Sequence, residues 1–179
     1  MTPIVLLDQV VHTNYGQFTL EWDSSGTTWD GDADRFFAGQ LNGWIGAAVE
    51  GVVVVVLARY GGGSALRAEL WPQEPQQEAP TDAAWEDSVE VSMTVSAGDS
   101  VGWGTWSWAD SGTLDLPAGS YRLRASARGR DAGQAGEFDP DVVDFYLLQF
   151  WLAPPAPDAV LLTASADAAY WNKEWGSRR

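Results

Sequence analysis

The chain has 179 residues, 45% of them hydrophobic, with eleven tryptophans, no cysteine, and 25 acidic against ten basic residues, for a formal net charge of −15. This length and apolar content suit one globular domain and exclude a disordered body. Without cysteine there is no disulfide framework, thiol nucleophile or cysteine metal site, and the acidity repels nucleic-acid phosphates and anionic membranes.

The opening MTPIVLLDQVVHT has no basic stretch, and Asp8 interrupts its apolar run. It does not read as a secretory leader, and a cytoplasmic setting is expected. QFTLEW (17–22) alternates Phe18 and Leu20 with Thr19 and Glu21, the pattern of a half-buried strand. A loop rich in Gly, Asp and Ser follows, with one helical turn expected over 34–38. WIGAAVEGVVVVVLAR (44–59) predicts two strands, or one long bent strand, turning at Glu50-Gly51. Its run VVVVVLA is far too short to cross a bilayer and reads as a buried strand. A short strand is predicted over ALRAELW (65–71).

Residues 72–84, PQEPQQEAPTDAA, hold three prolines and no large apolar side chain, and predict an exposed loop within a single domain spanning 1–179. WEDSVEVSMTV (85–95) alternates cleanly. A Trp-rich strand with Trp103, Trp106 and Trp108 comes next, Trp106 and Trp108 sharing a face and Trp103 taking the other. LDLPAGSYRLRASARGRD (114–131) places a strand behind a Pro-Ala-Gly turn, with Tyr121 at the position whose hydroxyl closes a sandwich corner. VVDFYLLQFWLA (142–153) and AVLLTAS supply the last strands. DAAYWNKEW then predicts a short helix in a C-terminal extension (166–179), capped by Ser165 or Asp167. About nine short strands, turn signals every ten residues or so and no long helix predict an all-β fold, an antiparallel β-sandwich.

The chemistry on offer is thin. His12 is the sole histidine and Lys173 the sole lysine, neither within a recognisable motif. No phosphate loop, dinucleotide fingerprint or zinc spacing is present. Asp30, Asp32 and Asp34 have the spacing that opens a calcium loop, but Arg35 stands where the loop needs glycine and Leu41 where it needs glutamate. No metal ligand, catalytic residue or cofactor is assigned, and the chain does not read as an enzyme.

Several of these segments, taken in order, resemble the competence protein J family of small acidic bacterial proteins. HTNYGQFTLEW is similar to that family's opening strand, WDGDADRFFAG to its Trp-Asp loop, and WEDSVEVSMTVSAG to its central strand pair. LDLPAGSYRLRASARGRD resembles its Leu-Pro-x-Gly-x-Tyr strand and VVDFYLLQFW its closing strand; the tail DAAYWNKEWG is similar to that of actinobacterial proteins of the same layout. The resemblance implies an interaction protein that caps a basic nuclease. The charge agrees, because spaced carboxylates can occupy a surface built to bind phosphates.

Two functions follow as expectations. The first is an acidic module that binds and neutralises a basic protein, a nuclease or toxin, through Asp30, Asp32 and Asp34 and through a second patch of Glu86, Asp87, Glu137, Asp139 and Asp141. The second is a carbohydrate- or small-molecule-binding sandwich, with Trp103, Trp106 and Trp108 as stacking platform and calcium in the acidic loops.

Overall fold

The computed structural model describes residues 2–22, 26–76 and 84–176. Among the described residues there are eleven strands: β1 (Ile4–Asn14), β2 (Gln17–Glu21), β3 (Ile45–Gly46), β4 (Val52–Val56), β5 (Gly61–Trp71), β6 (Asp87–Val95), β7 (Val101–Thr105), β8 (Ser111–Leu114), β9 (Gly119–Arg128), β10 (Phe145–Leu152) and β11 (Ala159–Thr163). They build a six-stranded sheet, ordered β1-β5-β10-β9-β6-β11, and a five-stranded sheet, ordered β3-β4-β2-β7-β8. The expected all-β sandwich is therefore present.

Three features differ in detail from the sequence reading. β1 and β8 add to the nine expected strands. β1 is an edge strand that buries only Val11 and Thr13, so it lacks the full alternation that marks a half-buried strand. β5 starts at Gly61 rather than Ala65, because Gly61, Gly62 and Gly63 pair with Asn14, Thr13 and His12. β5 and β10 run parallel, from Phe145 opposite Ala65 to Trp151 opposite Trp71, within an otherwise antiparallel sheet. The intervening strands β6 to β9 supply the long crossover that parallel pairing requires.

β4 is buried along its whole length, as a run of five valines demands. A strand with no polar face needs cover on both sides. Short helix α1 (Ala33–Phe36) and its flanks supply Trp29, Phe36, Phe37 and Trp44; helix α3 (Ala166–Trp171) and the turn Asn172–Gly176 supply Trp171 and Trp175. These rings touch one another, Trp29 with Trp175 at 6.1 Å and Phe37 with Trp175 at 5.3 Å between centroids. Gly43 is required here, since a Cβ would collide with the Trp171 carbonyl. Each large side chain buried in such a layer contributes about 1.5–3 kcal/mol.

The ends of the elements follow local chemistry. Ser165 caps α3, its hydroxyl accepting from the Ala168 amide at 3.0 Å. Tyr121 is 1% exposed, and its hydroxyl donates to the Pro117 carbonyl at 2.7 Å, closing the corner that the turn sequence predicts. The stretch 128–137 contains helix α2 (Arg130–Ala135), and Arg130 is wholly buried. No helix among the described residues is long and apolar enough to cross a membrane. Residues 77–83 of the expected proline-rich loop and the end of the C-terminal extension lie outside the described residues.

Candidate partner-binding surface

Arginines hold the sandwich together from within. Arg122 donates to Glu90 at 2.9 Å and to the carbonyls of Ala156 and Pro157, tying the proline-rich connector to the sheet. Arg124 pairs with Glu90 at 2.7 Å and with Glu74 at 3.1 Å, and donates to the Pro75 carbonyl. Arg130 pairs with Asp167 at 2.6 Å, donates to the Val56 carbonyl, and lies 4.8 Å over the Trp44 ring. Arg59 sits against Asp144 at 3.8 Å with both side chains fully buried. Four of the ten basic side chains, Arg59, Arg122, Arg124 and Arg130, are thereby withdrawn from the surface, each no more than 8% exposed.

The buried Asp144 is held by donors: the Ser64 hydroxyl at 2.8 Å and the Tyr146 hydroxyl at 3.0 Å. Loss of water raises its pKa, and the Ser64 and Tyr146 bonds and the Arg59 charge oppose that rise. Burial likewise pushes the Tyr146 phenol well up, and that hydroxyl also accepts from the Ala58 amide at 2.7 Å. The cluster is closed to solvent, and its Ser64, Asp144 and Tyr146 side chains join β5, β10 and the end of β4, while Arg59 Nε faces Asp144 without a hydrogen bond.

The expected acidic residues fall on three separate segments. Asp30 and Asp32 are exposed on the loop leading into α1, and Asp34 is exposed in the helix's first turn. Asp30 pairs with Arg35 at 3.3 Å, and Asp32 caps the helix by accepting from the Arg35 amide. Glu86 is exposed and accepts from the Gly129 amide at 2.8 Å. Asp87 differs from the expectation: it is 0% exposed, and its carboxylate accepts from the amides of Ala164 and Ser165 and from the Ser165 hydroxyl at 2.6 Å. It joins β6 to the start of α3 and offers a partner no surface. Among the described residues no group of three His, Cys, Asp or Glu is placed to hold a metal ion.

Glu137, Asp139 and Asp141 are all exposed on the loop between α2 and β10. The buried Arg59 grips that loop from beneath, donating to the backbone carbonyls of Asp139 at 3.1 Å and Asp141 at 2.9 Å. A guanidinium that binds the backbone of an acidic loop fixes the loop and leaves its carboxylates facing water.

The expected tryptophan platform does not form as a unit. Trp103 is 4% exposed and stacks on Phe18 in the core at 5.8 Å. Trp106 and Trp108 are exposed, but on a 3₁₀ turn (Trp106–Trp108) rather than a strand. Their rings go to different neighbours: Trp106 meets Tyr15 at 4.9 Å, and Trp108 lies against Gly104, where a Cβ would strike the ring.

Trp106 is instead part of a corner that the sequence reading missed. Tyr15 meets Tyr60 edge-on at 5.0 Å, so Trp106, Tyr15 and Tyr60 form a continuous exposed aromatic ridge. Beyond Tyr60, the Phe138 amide donates to the Gly61 carbonyl at 3.0 Å and the Phe138 ring lies over Gly61, where a Cβ would displace it. Phe138 itself is 70% exposed. Partial cover from its neighbours raises the Tyr60 phenol pKa, and Tyr15 and the Glu137 carboxylate raise it further, which places Glu137 within electrostatic reach of the ridge. Below the ridge lies a groove of about 200 Å³, lined by Tyr15, Tyr60, Trp29, Trp171, Trp175 and the residues of β4 and its C-terminal flank.

Backbone conformation sets this corner apart. The non-glycine residues with positive φ among those described are Tyr15 (60°), Ser107 (57°), Trp108 (55°) and Phe138 (61°). All four belong to the ridge or its flanking loops, and three are aromatic. Bulky residues rarely adopt this region. The signal available in the sequence was Asn14-Tyr15-Gly16, a turn signature with an aromatic where asparagine or aspartate is favoured.

No family model matches the chain, and no curated protein does. Among solved structures the fold is similar to that of ComJ, inhibitor of the DNA degrading activity of NucA, from Bacillus subtilis, with a TM-score of 0.55 at 16% identity over 86% of this chain and 100% of that one. It is also similar to the crocagin biosynthetic gene J product, with a TM-score of 0.52 at 14% identity over the same shares of the chains. The chain is thus a β-sandwich of the ComJ-like fold. The likeness establishes architecture.

Proposed function

We propose that this protein is an acidic binding module that docks on a basic protein of the nuclease class and blocks its phosphate-binding surface. The observation that carries the reading is the distribution of charge. Of a chain with net charge −15, four of the ten cations are consumed inside the fold, while Asp30, Asp32, Asp34, Glu86, Glu137, Asp139 and Asp141 remain outside. Such a surface attracts a basic partner and speeds its encounter. The ComJ-like fold supports the choice of partner, since ComJ inhibits a nuclease. The stacking-platform reading loses its support with Trp103 in the core.

The test is affinity capture from the native host at low and high salt, followed by purification of the captured protein and a DNA-degradation assay. The expected result is a basic nuclease, retained at low salt and inhibited at a one-to-one ratio. If no basic protein is retained at low salt, or the captured nuclease degrades DNA undiminished at equimolar inhibitor, the reading fails.

A further inference from the structure

We propose that the corner built from Trp106, Tyr15, Tyr60 and Phe138, rimmed by Glu137, Asp139 and Asp141, is the docking surface for the basic partner, and that an arginine side chain of that partner seats in the groove beneath Tyr15 and Tyr60. The inference rests on the binding function proposed above and names the part of the molecule that performs it.

Three independent observations converge on this corner. The first is exposure of aromatic rings, with Trp106, Tyr15 and Tyr60 in ring contact and Phe138 over the adjacent Gly61. Tyr60 is 50% exposed, Tyr15 56%, Trp106 43% and Phe138 70%. Aromatic side chains with few rotatable bonds are the residues on which interface energy concentrates, and a ridge of them on a free surface marks a binding site. The second is conformation. Tyr15 and Phe138 are held at positive φ, where glycine or asparagine would be at ease. Strain of this kind persists only when the surroundings impose it, and here it serves to turn an apolar ring outward. The third is charge. The acidic loop that Arg59 fixes from beneath reaches the ridge where the Phe138 amide bonds Gly61, next to Tyr60, and its Glu137 carboxylate lies within electrostatic reach of Tyr60.

Aromatic faces beside carboxylates define the chemistry of the occupant. A guanidinium is planar, weakly hydrated and cationic; it stacks on tyrosine or tryptophan and forks onto a carboxylate at the same time. A lysine ammonium, compact and strongly hydrated, uses only part of that arrangement. A groove walled by Tyr15, Tyr60, Trp29, Trp171 and Trp175 suits the flat cation. A nuclease surface that binds phosphates presents such side chains.

The probes are a nine-residue arginine peptide and its lysine counterpart, titrated into the intact protein with backbone amide chemical shifts as readout. Shifts confined to the ridge and groove segments 15–17, 29, 54–61, 106–110, 136–141 and 171–175, with the arginine peptide bound more tightly than the lysine peptide, are the expected result. Two charge-preserving variants sharpen it. Tyr60→Ala with Trp106→Ala should weaken arginine-peptide binding by about tenfold or more. Phe138→Asn should weaken it while leaving the melting temperature unchanged or higher, because asparagine tolerates the left-handed region. Leu161→Ala, on the exposed edge strand β11, should bind as the unaltered protein does.

Shifts spread evenly over the acidic surface, equal affinity for both peptides, or undiminished binding by the aromatic variants would overturn the proposal. The outcome is separable from that of the function. A variant lacking Tyr60 and Trp106 side chains that still inhibits the captured nuclease refutes the surface alone. Localised peptide binding without any nuclease inhibition refutes the function alone.

Discussion

The two ends of the arginine inventory make an instructive pair. On β9 and α2, Arg122, Arg124 and Arg130 are sunk among Glu90, Glu74 and Asp167, and their remaining donors go to backbone carbonyls. That region is closed: its charges cancel and its strands are tied to the connectors. At the Tyr15–Phe138 corner a single buried arginine, Arg59, faces the buried Asp144 on one side and donates to the backbone of the acidic loop above it on the other. There the carboxylates are left outside, and three strained loops present aromatic rings. The same residue type thus stabilises one region and prepares the other: Glu90, Glu74 and Asp167 are themselves paired by the arginines, whereas Arg59 holds the acidic loop by its main-chain carbonyls and leaves the side chains of Glu137, Asp139 and Asp141 exposed.

The contrast can be broken most forcefully at Arg130. Arg130→Met removes the partner of a nearly buried Asp167 and the donor to Val56, and should cost about 3–5 kcal/mol, as removal of one member of a buried pair does. Urea unfolding measures it, and a loss below about 1 kcal/mol would show that the closed region does not depend on its cations.

Asp144 gives a smaller effect with a distinctive pH dependence. Its carboxyl has a folded pKa above 3.8, so between 3.8 and that higher value the folded chain binds the proton more tightly than the unfolded chain. Its contribution to stability is therefore present at low pH and is lost as pH rises through the folded pKa. Asp144→Asn should destabilise by about 1–3 kcal/mol, because Asn leaves one donor unmatched. The cost should shrink as pH rises through that window. A cost that grows with pH would mean the Arg59 charge outweighs burial.

Tyr121→Phe should cost about 1 kcal/mol by removing one buried hydrogen bond to Pro117. An unchanged stability would show that the corner holds by packing alone. The smallest change has the opposite sign. Tyr15→Asn creates Asn-Gly at two successive positions of positive φ, 60° and 59°, and should raise stability by about 0.5–1 kcal/mol. It should also weaken binding of the basic partner. A variant that is less stable would remove strain as a distinguishing mark of this corner.

Much of the fold was legible because it rests on short-range pattern. Val89, Val91, Met93 and Val95 alternate and all are buried; Pro117, Gly119 and Tyr121 announce a corner that forms; five consecutive valines demand cover on both faces and receive it. β1 was not legible, since an edge strand with most of its side chains in water lacks the full alternation. The site was legible only as chemistry. Asp87 has the same charge as Glu86 beside it, yet one carboxylate is buried under Ser165 and the other faces water. Trp103 and Trp106 are three residues apart, yet one is core and the other ridge.

The sequence by itself determined a cysteine-free, strongly acidic sandwich with a tyrosine corner and a capped C-terminal helix. Composition, alternation and turn chemistry act within a few residues of each other, so they can be read along the chain. The tertiary structure alone decided which cations would be hidden, which carboxylates would face outward, and that Trp106, Tyr15, Tyr60 and Phe138 would meet. Those four come from four different loops, brought together by the pairing of β1 with β5 and of β2 with β4 and β7. Pairing between strands distant in sequence depends on the global burial of apolar faces, and no local pattern encodes it.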